Sequence, residues 1–453
     1  MAQVSSRDEV DRAADGILSD LVRICELTLP LRKERKYFAP WWTPELTRLM
    51  RVAKRWKKRY RRITTPALKE LYRPLMKRAQ DEFDIATDRA RHEGWRGFVT
   101  GQNKETVWSQ VYRLCRGNTT HPPSTVRLPD DSYTTDAQST ADYLLDRFMP
   151  DDDPVTDDNS HLALRSWVQH DGSSERMLAF DDVPFAHEEI ADAIKRQNDA
   201  KSPGEDGISA NILRVAYEHA GDVFDWLFNS CLKYHCFPTW FKSSIVKAIP
   251  KSATSDLQNP KSWRPISLIS VPGKVLERLM INRVMHNLRS RDLLSTKQFG
   301  FTRLRSTKDA IESVVTRMQT VRNAWQYGAI ISLDVSSAFD SAWWTAILAR
   351  LMRLGIPHNL WRLCRDYFNG RTAKMEIAGS VSSKAVTRGC PQGSACGPGF
   401  WNILYDELLQ LPLPHGCELT AFADDLVLQC WATSTTLLEL QVNAAIELVT
   451  AWG

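Results

Sequence analysis

Two short apolar segments carry aspartate where a buried strand would be expected to carry none, and they constrain this 453-residue chain more than any other feature. The first is Ile330-Ile331-Ser332-Leu333-Asp334-Val335, and the second is Ala421-Phe422-Ala423-Asp424-Asp425-Leu426-Val427-Leu428. Apolar runs of this length favour strands over helices. An unpaired carboxylate in low-dielectric surroundings is costly, so acids flanked by strand hydrophobes call for a counter-charge or a metal. Adjacent Asp424 and Asp425 repel each other, which sharpens the expectation of a divalent cation. The chemistry that wants this arrangement is nucleotidyl transfer, in which two Mg²⁺ ions about 4 Å apart activate a primer 3′-hydroxyl and stabilise the leaving pyrophosphate. Hard oxygen ligands suit Mg²⁺. A lone Asp-Asp pair is otherwise an ordinary turn, and a two-metal nuclease would account for the carboxylates alone.

The periodicity around these segments mixes helices and strands. Helical spacing marks residues 1–30 up to Pro30, a pair of helices between Thr43-Pro44-Glu45 and about Val99, and stretches from Ile190, Val223, Lys274, Ala342, Asn359, Ala395 and Thr433. Thr43 before Pro44 is a good N-cap with Pro at the first helical position, and the second helix of the pair opens near Thr65-Pro66. Strands are expected at Ser244–Ile249, Ala329–Leu333, Leu419–Phe422 and Leu426–Cys430, with a hairpin around Ala378-Gly379-Ser380. The order is unlike regular βαβ repeats and points to an α+β fold.

Net charge is only +5, but from Leu31 to Phe98 there are 20 Lys and Arg against 8 Asp and Glu. A local excess of that size points to a polyanion, nucleic acid above all, with a solvated helix face as the alternative. Trp56 and Tyr60 within it either cover a partner helix or stack on bases. From about Gly117 to Ser174 the composition turns to Pro, Ser, Thr and Asp, and Asp151-Asp152-Asp153 with Asp157-Asp158 read as part of a mobile surface linker rather than a metal site. Nine cysteines lack C-x-x-C or zinc spacing, so reduced thiols of an intracellular, non-secreted protein are expected, in cytoplasm and nucleus. No apolar run is long enough to span a bilayer.

Six ordered boxes then carry a resemblance. Phe422-Ala423-Asp424-Asp425 resembles the aromatic-x-Asp-Asp box of reverse transcriptases, and Asp334-Val335-Ser336-Ser337-Ala338-Phe339-Asp340 resembles their Asp-x-x-x-Ala-aromatic-Asp box. Arg388-Gly389-Cys390-Pro391-Gln392-Gly393-Ser394 resembles the Pro-Gln-Gly box. Upstream, Ser262–Leu268 and Gln298–Phe301 with Ser306-Thr307 resemble fingers motifs, and Lys201–Gly207 resembles the amino-terminal extension of the LINE-type, non-long-terminal-repeat retrotransposon branch.

The resemblance implies an RNA-directed DNA polymerase working on an RNA template, a DNA primer or target and dNTPs, with Mg²⁺ (or Mn²⁺ as substitute) as cofactor. Asp334, Asp424 and Asp425 would be the catalytic, metal-binding carboxylates, with the carbonyl of Val335 a further ligand. Phe339 would lie under the sugar and exclude a 2′-hydroxyl. Arg264 would hold the triphosphate by its planar fork, Lys251 would add a phosphate contact, and Gln392 and Gly393 would line the nucleotide pocket. Asp340 is either structural or catalytic. The implied architecture is the fingers and palm of a right-hand polymerase, the palm an antiparallel sheet with helices. Residues 1–118 would form a helical basic region resembling the endonuclease–polymerase connector, 119–175 a flexible acidic linker, 176–329 the fingers and 330–453 an incomplete palm. Leu304 stands where many relatives have Gly. The thumb is expected to be absent, with an endonuclease in the same longer polyprotein. The other reading is a nucleic-acid-binding remnant without catalysis.

Overall fold

The computed structural model describes residues 4–29, 41–100, 122–171, 180–252, 256–335 and 338–452. Pro30, Ser336 and Ser337, and the outer ends of the Pro/Ser/Asp stretch lie outside them. The chain divides into two compact units, one of residues 28–119 and one of 1–27 with 120–453.

In the smaller unit, α2 (Pro44–Arg62) and α3 (Pro66–Thr100) follow a first helix, α1 (Arg7–Thr28), that belongs to the larger unit. Thr43 caps α2 as expected, its hydroxyl accepting from the Leu46 N–H at 3.2 Å ahead of Pro44. The two helices pair as an antiparallel hairpin that buries Leu46, Ala53 and Ala79. Trp42 meets Phe83 edge-on, and Trp56 packs on Tyr72 with the Arg59 guanidinium over both rings. Trp56 is thus spent within the hairpin. Most of the basic residues are not: Arg51, Lys54, Arg55, Lys57, Lys58, Arg61 and Arg62 are all exposed.

The larger unit is mixed α and β. Its helices are α4 (Ala137–Phe148), α5 (Asn159–Asp171), α6 (His187–Lys195), α7 (Ala210–Lys233), α8 (Val271–Ser290), α9 (Thr307–Asn323), the single turn α10 (Ala338–Ser341), α11 (Trp344–Arg353), α12 (His358–Phe368), α13 (Gly397–Leu409) and α14 (Thr435–Trp452). Among the described residues seven strands make two sheets: β1 (Ser243–Pro250), β2 (Trp263–Ile269), β4 (Arg371–Ile377) and β5 (Ser380–Val386) in the order β2-β1-β4-β5, and β3 (Tyr327–Asp334), β6 (Cys417–Phe422) and β7 (Asp425–Ala432) in the order β3-β7-β6. The three-stranded sheet is antiparallel throughout; in the other, β1 and β4 run parallel. All the expected strands are present, and the β4–β5 hairpin turns through Ala378 and Gly379, both with positive φ. β2 was expected only as a motif; its Pro265 is tolerated because β2 is an edge strand. A large core joins α1, α7, α8, α11, α12 and α13 to the inner face of β3-β7-β6, and a smaller one lies between α4 and the four-stranded sheet.

The expected flexible linker is not one where it is described. Asp136 and Ser139 form a capping box at the start of α4, whose Ala141, Leu144, Leu145 and Phe148 are buried against β4 and β5. Asp151, Asp152 and Asp157 of the acidic knot have cationic partners. Arg165 of α5 binds Asp152 through both amino groups, each at 2.7 Å, and also Asp157, while Lys384 reaches Asp151 at 2.9 Å. Composition hid this, because four sheet-facing apolar residues suffice to dock a short helix.

Candidate active site

Asp334 ends β3 and stands directly opposite Asp425, the first residue of β7. On its other side Asp425 pairs with Phe422, the last residue of β6, so Ala423 and Asp424 form a two-residue turn. The three carboxylates therefore sit at one end of a single sheet, Asp334 and Asp425 exposed and Asp424 half-buried. Among the described residues no cationic side chain is paired with any of them.

The turn is held from behind. Ala423 takes the left-handed conformation, φ +60, which a residue with a Cβ adopts only when its surroundings impose it. The buried Gln298 side chain supplies that: its Nε2 donates to the Ala423 carbonyl at 3.1 Å, and its Oε1 accepts from the N–H of Ala423 at 3.0 Å and of Gly300 at 2.8 Å. The Trp401 indole N–H also donates to the Ala423 carbonyl, at 3.1 Å, and the Tyr405 hydroxyl donates to the Asp424 carbonyl at 3.3 Å. A Cβ at Gly300 would run into the Ala423 backbone nitrogen, so the loop carrying Gln298–Phe301 lies flush on the turn. Burial pushes the Tyr405 phenol up, and the fields of Asp424, Asp425 and Asp334 push the same way.

Phe339, on α10, stacks on Trp401 at 5.5 Å between centroids and meets Phe301 edge-on at 5.7 Å. Its neighbour Asp340 belongs to a second group. Burial raises the Asp340 carboxyl to about 6, and a hydrogen bond to the Gln392 side chain and the charge of Lys251 pull the other way. The turn bearing Gln392 docks on β2, the Ser267 N–H donating to the Gln392 carbonyl at 2.7 Å. Gly393 sits at φ +126, where a Cβ would meet the Ser267 carbonyl. Arg264 is exposed on β2 opposite Ile249, at the same end of the β1–β2 ladder as Lys251.

The candidate residues thus fall into two groups linked through the consecutive residues Phe339 and Asp340. No described contact joins Arg264 or Lys251 to Asp334, Asp424 or Asp425. A cavity of about 810 Å³ lined by Arg7, Arg362, Trp344 and Arg371 lies elsewhere, with none of these residues in its wall. The donor set suits a hard divalent cation: carboxylate oxygens on adjacent strand ends with no internal counter-charge. Among the described residues they are not gathered into a cluster of three or more ligands, so a cation would have to draw them together. Gln298, Trp401 and Tyr405 carry the turn without having been singled out for a role. Gln298 stands in one of the six boxes, whereas the two aromatics sit in an apolar helix where nothing distinguishes them from core.

Residues 249–453 match the family described as reverse transcriptase (RNA-dependent DNA polymerase). Over 99% of its length the chain is 31% identical to the putative 115 kDa protein in type-1 retrotransposable element R1DM of Drosophila melanogaster, covering 42% of that protein. It is 28% identical to the retrovirus-related Pol polyprotein from type-1 retrotransposable element R1 of Bradysia coprophila, over 92% of this chain and 40% of the relative. To the RNA-directed DNA polymerase from mobile element jockey of Drosophila melanogaster it is 25% identical, over 96% of this chain and 47% of the relative. The chain spans less than half the length of these curated relatives. Residues 249–453, which carry the paired strand-end carboxylates, form a reverse transcriptase domain, and over nearly its whole length the chain is similar to proteins of non-long-terminal-repeat retrotransposons.

Proposed function

We propose that this chain is an RNA-directed DNA polymerase core that adds dNTPs to a primer 3′-hydroxyl on an RNA template. The observation that carries the reading is the Asp334–Asp425 register pair with Asp424 in the adjoining turn, set inside the segment that matches reverse transcriptases. Asp334, Asp424 and Asp425, with the Val335 carbonyl, would hold Mg²⁺, or Mn²⁺ in its place. A bound cation supplies activation of the attacking hydroxyl and neutralisation of the departing pyrophosphate.

The remaining work belongs to the chain's own groups. Phe339, buttressed by Trp401, offers a flat ring under the sugar and leaves no room for a 2′-hydroxyl. Arg264 and Lys251 meet the triphosphate from the β1–β2 end, Arg264 with two parallel donors. Gln392 and Gly393 form the pocket edge, where the absent side chain lets the nucleotide approach backbone. In this reading residues 176–329 act as fingers and 330–453 as palm.

Primer extension by the 453-residue chain on a primed RNA template, with dNTPs and Mg²⁺, tests it. Extension by the native chain that disappears in the Asp424→Ala, Asp425→Ala double variant is the expected result. Equal extension by both would remove the carboxylates from the site.

A second reading, nucleic-acid binding without catalysis, draws on the row of exposed Lys and Arg along α2. It predicts RNA binding that weakens steeply with salt and survives loss of the aspartates, with no extension by the native chain.

A further inference from the structure

Cys417 and Cys430 face each other directly across the β6–β7 pair, with their sulfurs 3.1 Å apart and the Cys417 thiol donating to Cys430. The backbone bonds around them define the kind of pair they form. The Trp431 N–H donates to the Gly416 carbonyl at 2.8 Å, so residues 416 and 431 are a hydrogen-bonded pair, and the Cys417 N–H turns instead to the Pro414 carbonyl at 3.1 Å. Bonding alternates along an antiparallel ladder, which makes Cys417–Cys430 a non-hydrogen-bonded pair. Such pairs bring Cα atoms to about 4.5 Å and hold the side chains close, within the roughly 4.4–6.8 Å that a disulfide spans.

The two thiols differ in access. Cys430 is fully buried, whereas Cys417 is half-exposed, at the edge where α14 passes, its sulfur 3.7 Å from the Gln441 carbonyl. Burial holds the Cys430 thiol up and shuts it from solvent, so the outer cysteine is the one an oxidant reaches first.

We propose that Cys417 and Cys430 form a thiol–disulfide modification site that cross-links the hairpin bearing Asp424 and Asp425, with a small-molecule disulfide as oxidant. The Cys417 thiolate attacks one sulfur of the disulfide, forming a mixed disulfide and releasing one thiol that takes up the proton. Cys430, losing its own proton, then attacks the Cys417 sulfur and releases the second thiol. Two protein thiols are oxidised and one disulfide is reduced. The cross-link fastens the hairpin at the end away from the carboxylates, so its formation is independent of the polymerase reading.

The test incubates the whole chain with glutathione over a range of oxidised-to-reduced ratios, blocks remaining thiols with an alkylating reagent and maps the peptides by mass. The expected product joins the Cys417 peptide to the Cys430 peptide, and oxidised protein melts at a higher temperature than reduced protein. In Cys430→Ser, or Cys430→Ala if serine is not accommodated, Cys417 should stop at the glutathione adduct and the rise in Tm should vanish. Recovery of both residues as alkylated thiols from native protein held in oxidised glutathione alone would overturn the proposal. So would a stable glutathione adduct at Cys417 with Cys430 still free.

Discussion

The carboxamide of Gln298 bonds both backbone groups of Ala423, accepting from its N–H at 3.0 Å and donating to its carbonyl at 3.1 Å. Ala423 is the left-handed residue of the two-residue turn that carries Asp424 and leads into Asp425. Removing the amide in Gln298→Ala orphans the buried N–H groups of Ala423 and Gly300, while the Ala423 carbonyl keeps its Trp401 donor. At about 1–3 kcal/mol for each of the two buried groups left without a partner, the variant should lose about 2–6 kcal/mol in a urea titration. Primer extension should fall further than stability accounts for, because the turn that presents the aspartates is what relaxes. Extension at the native rate in a destabilised Gln298→Ala would separate the clamp from the site.

Phe339 owes its position to Trp401 on one face and Phe301 at its edge. If the proposed site is right, shortening it in Phe339→Val opens space where the sugar would sit, without touching a carboxylate. Discrimination that rests on steric exclusion in a pocket is worth about 1–3 kcal/mol, so the kcat/KM preference for dNTPs over rNTPs should drop about tenfold or more. Trp401→Ala should behave differently, lowering activity toward both substrates, since it removes the support and one donor to Ala423. An unchanged sugar preference in Phe339→Val would place the ring in the core instead.

Much of this arrangement was legible in the residues. The two aspartate-bearing strands follow from short apolar runs broken by acids, whereas the Pro-Gln-Gly box stood out only by its resemblance to a family, and the register that sets Asp334 opposite Asp425 is a finding of the structure. The Thr43 cap and Pro44 start followed from local backbone chemistry. What stayed hidden depends on contacts distant in sequence. Gln298 stands in one of the quoted boxes, but nothing in the sequence ties it to Ala423, and Trp401 and Tyr405 are indistinguishable from core aromatics in a helix that is apolar nearly throughout. The expectation of a linker failed for a related reason. The many aspartates of that region looked solvated only because Arg165 and Lys384, which pair with them, carry no mark of that in the sequence.

Arg165 offers a direct check on that correction. Its guanidinium bonds Asp152 and Asp157 and lies 4.9 Å from the Trp343 ring centre, with only 18% of the side chain exposed. Arg165→Ala leaves two carboxylates facing each other, and loss of a partly buried charged network on this scale should cost about 2–4 kcal/mol. Arg165→Lys keeps the charge but not the planar fork and should recover only part of it. Adding EDTA should leave the urea midpoint of the native chain unchanged, since an arginine already occupies the acidic cluster. A midpoint that falls with EDTA and recovers with Mg²⁺ would make this cluster a metal site after all.

Asp340 makes a prediction in pH. Its carboxyl is raised to about 6, mainly by burial, against about 3.9 in an unfolded chain. The folded protein therefore holds this proton over a range in which the unfolded chain has released it. The contribution to stability is fully present below about pH 4, declines as pH rises toward 6 and is gone above that. A difference of this size between folded and unfolded acidity is worth something on the order of 3 kcal/mol. Native protein should lose that much more stability between pH 4 and 7 than Asp340→Asn, which cannot titrate. At pH 7 the asparagine variant should be the more stable of the two, provided that its amide keeps the bond to Gln392. Lys251→Met removes a charge that favours the carboxylate, so it should move the decline to higher pH. Urea titrations of the three proteins at half-unit steps from pH 4 to 8 measure all of this, and parallel curves for native protein and Asp340→Asn would show that Asp340 keeps its ordinary acidity.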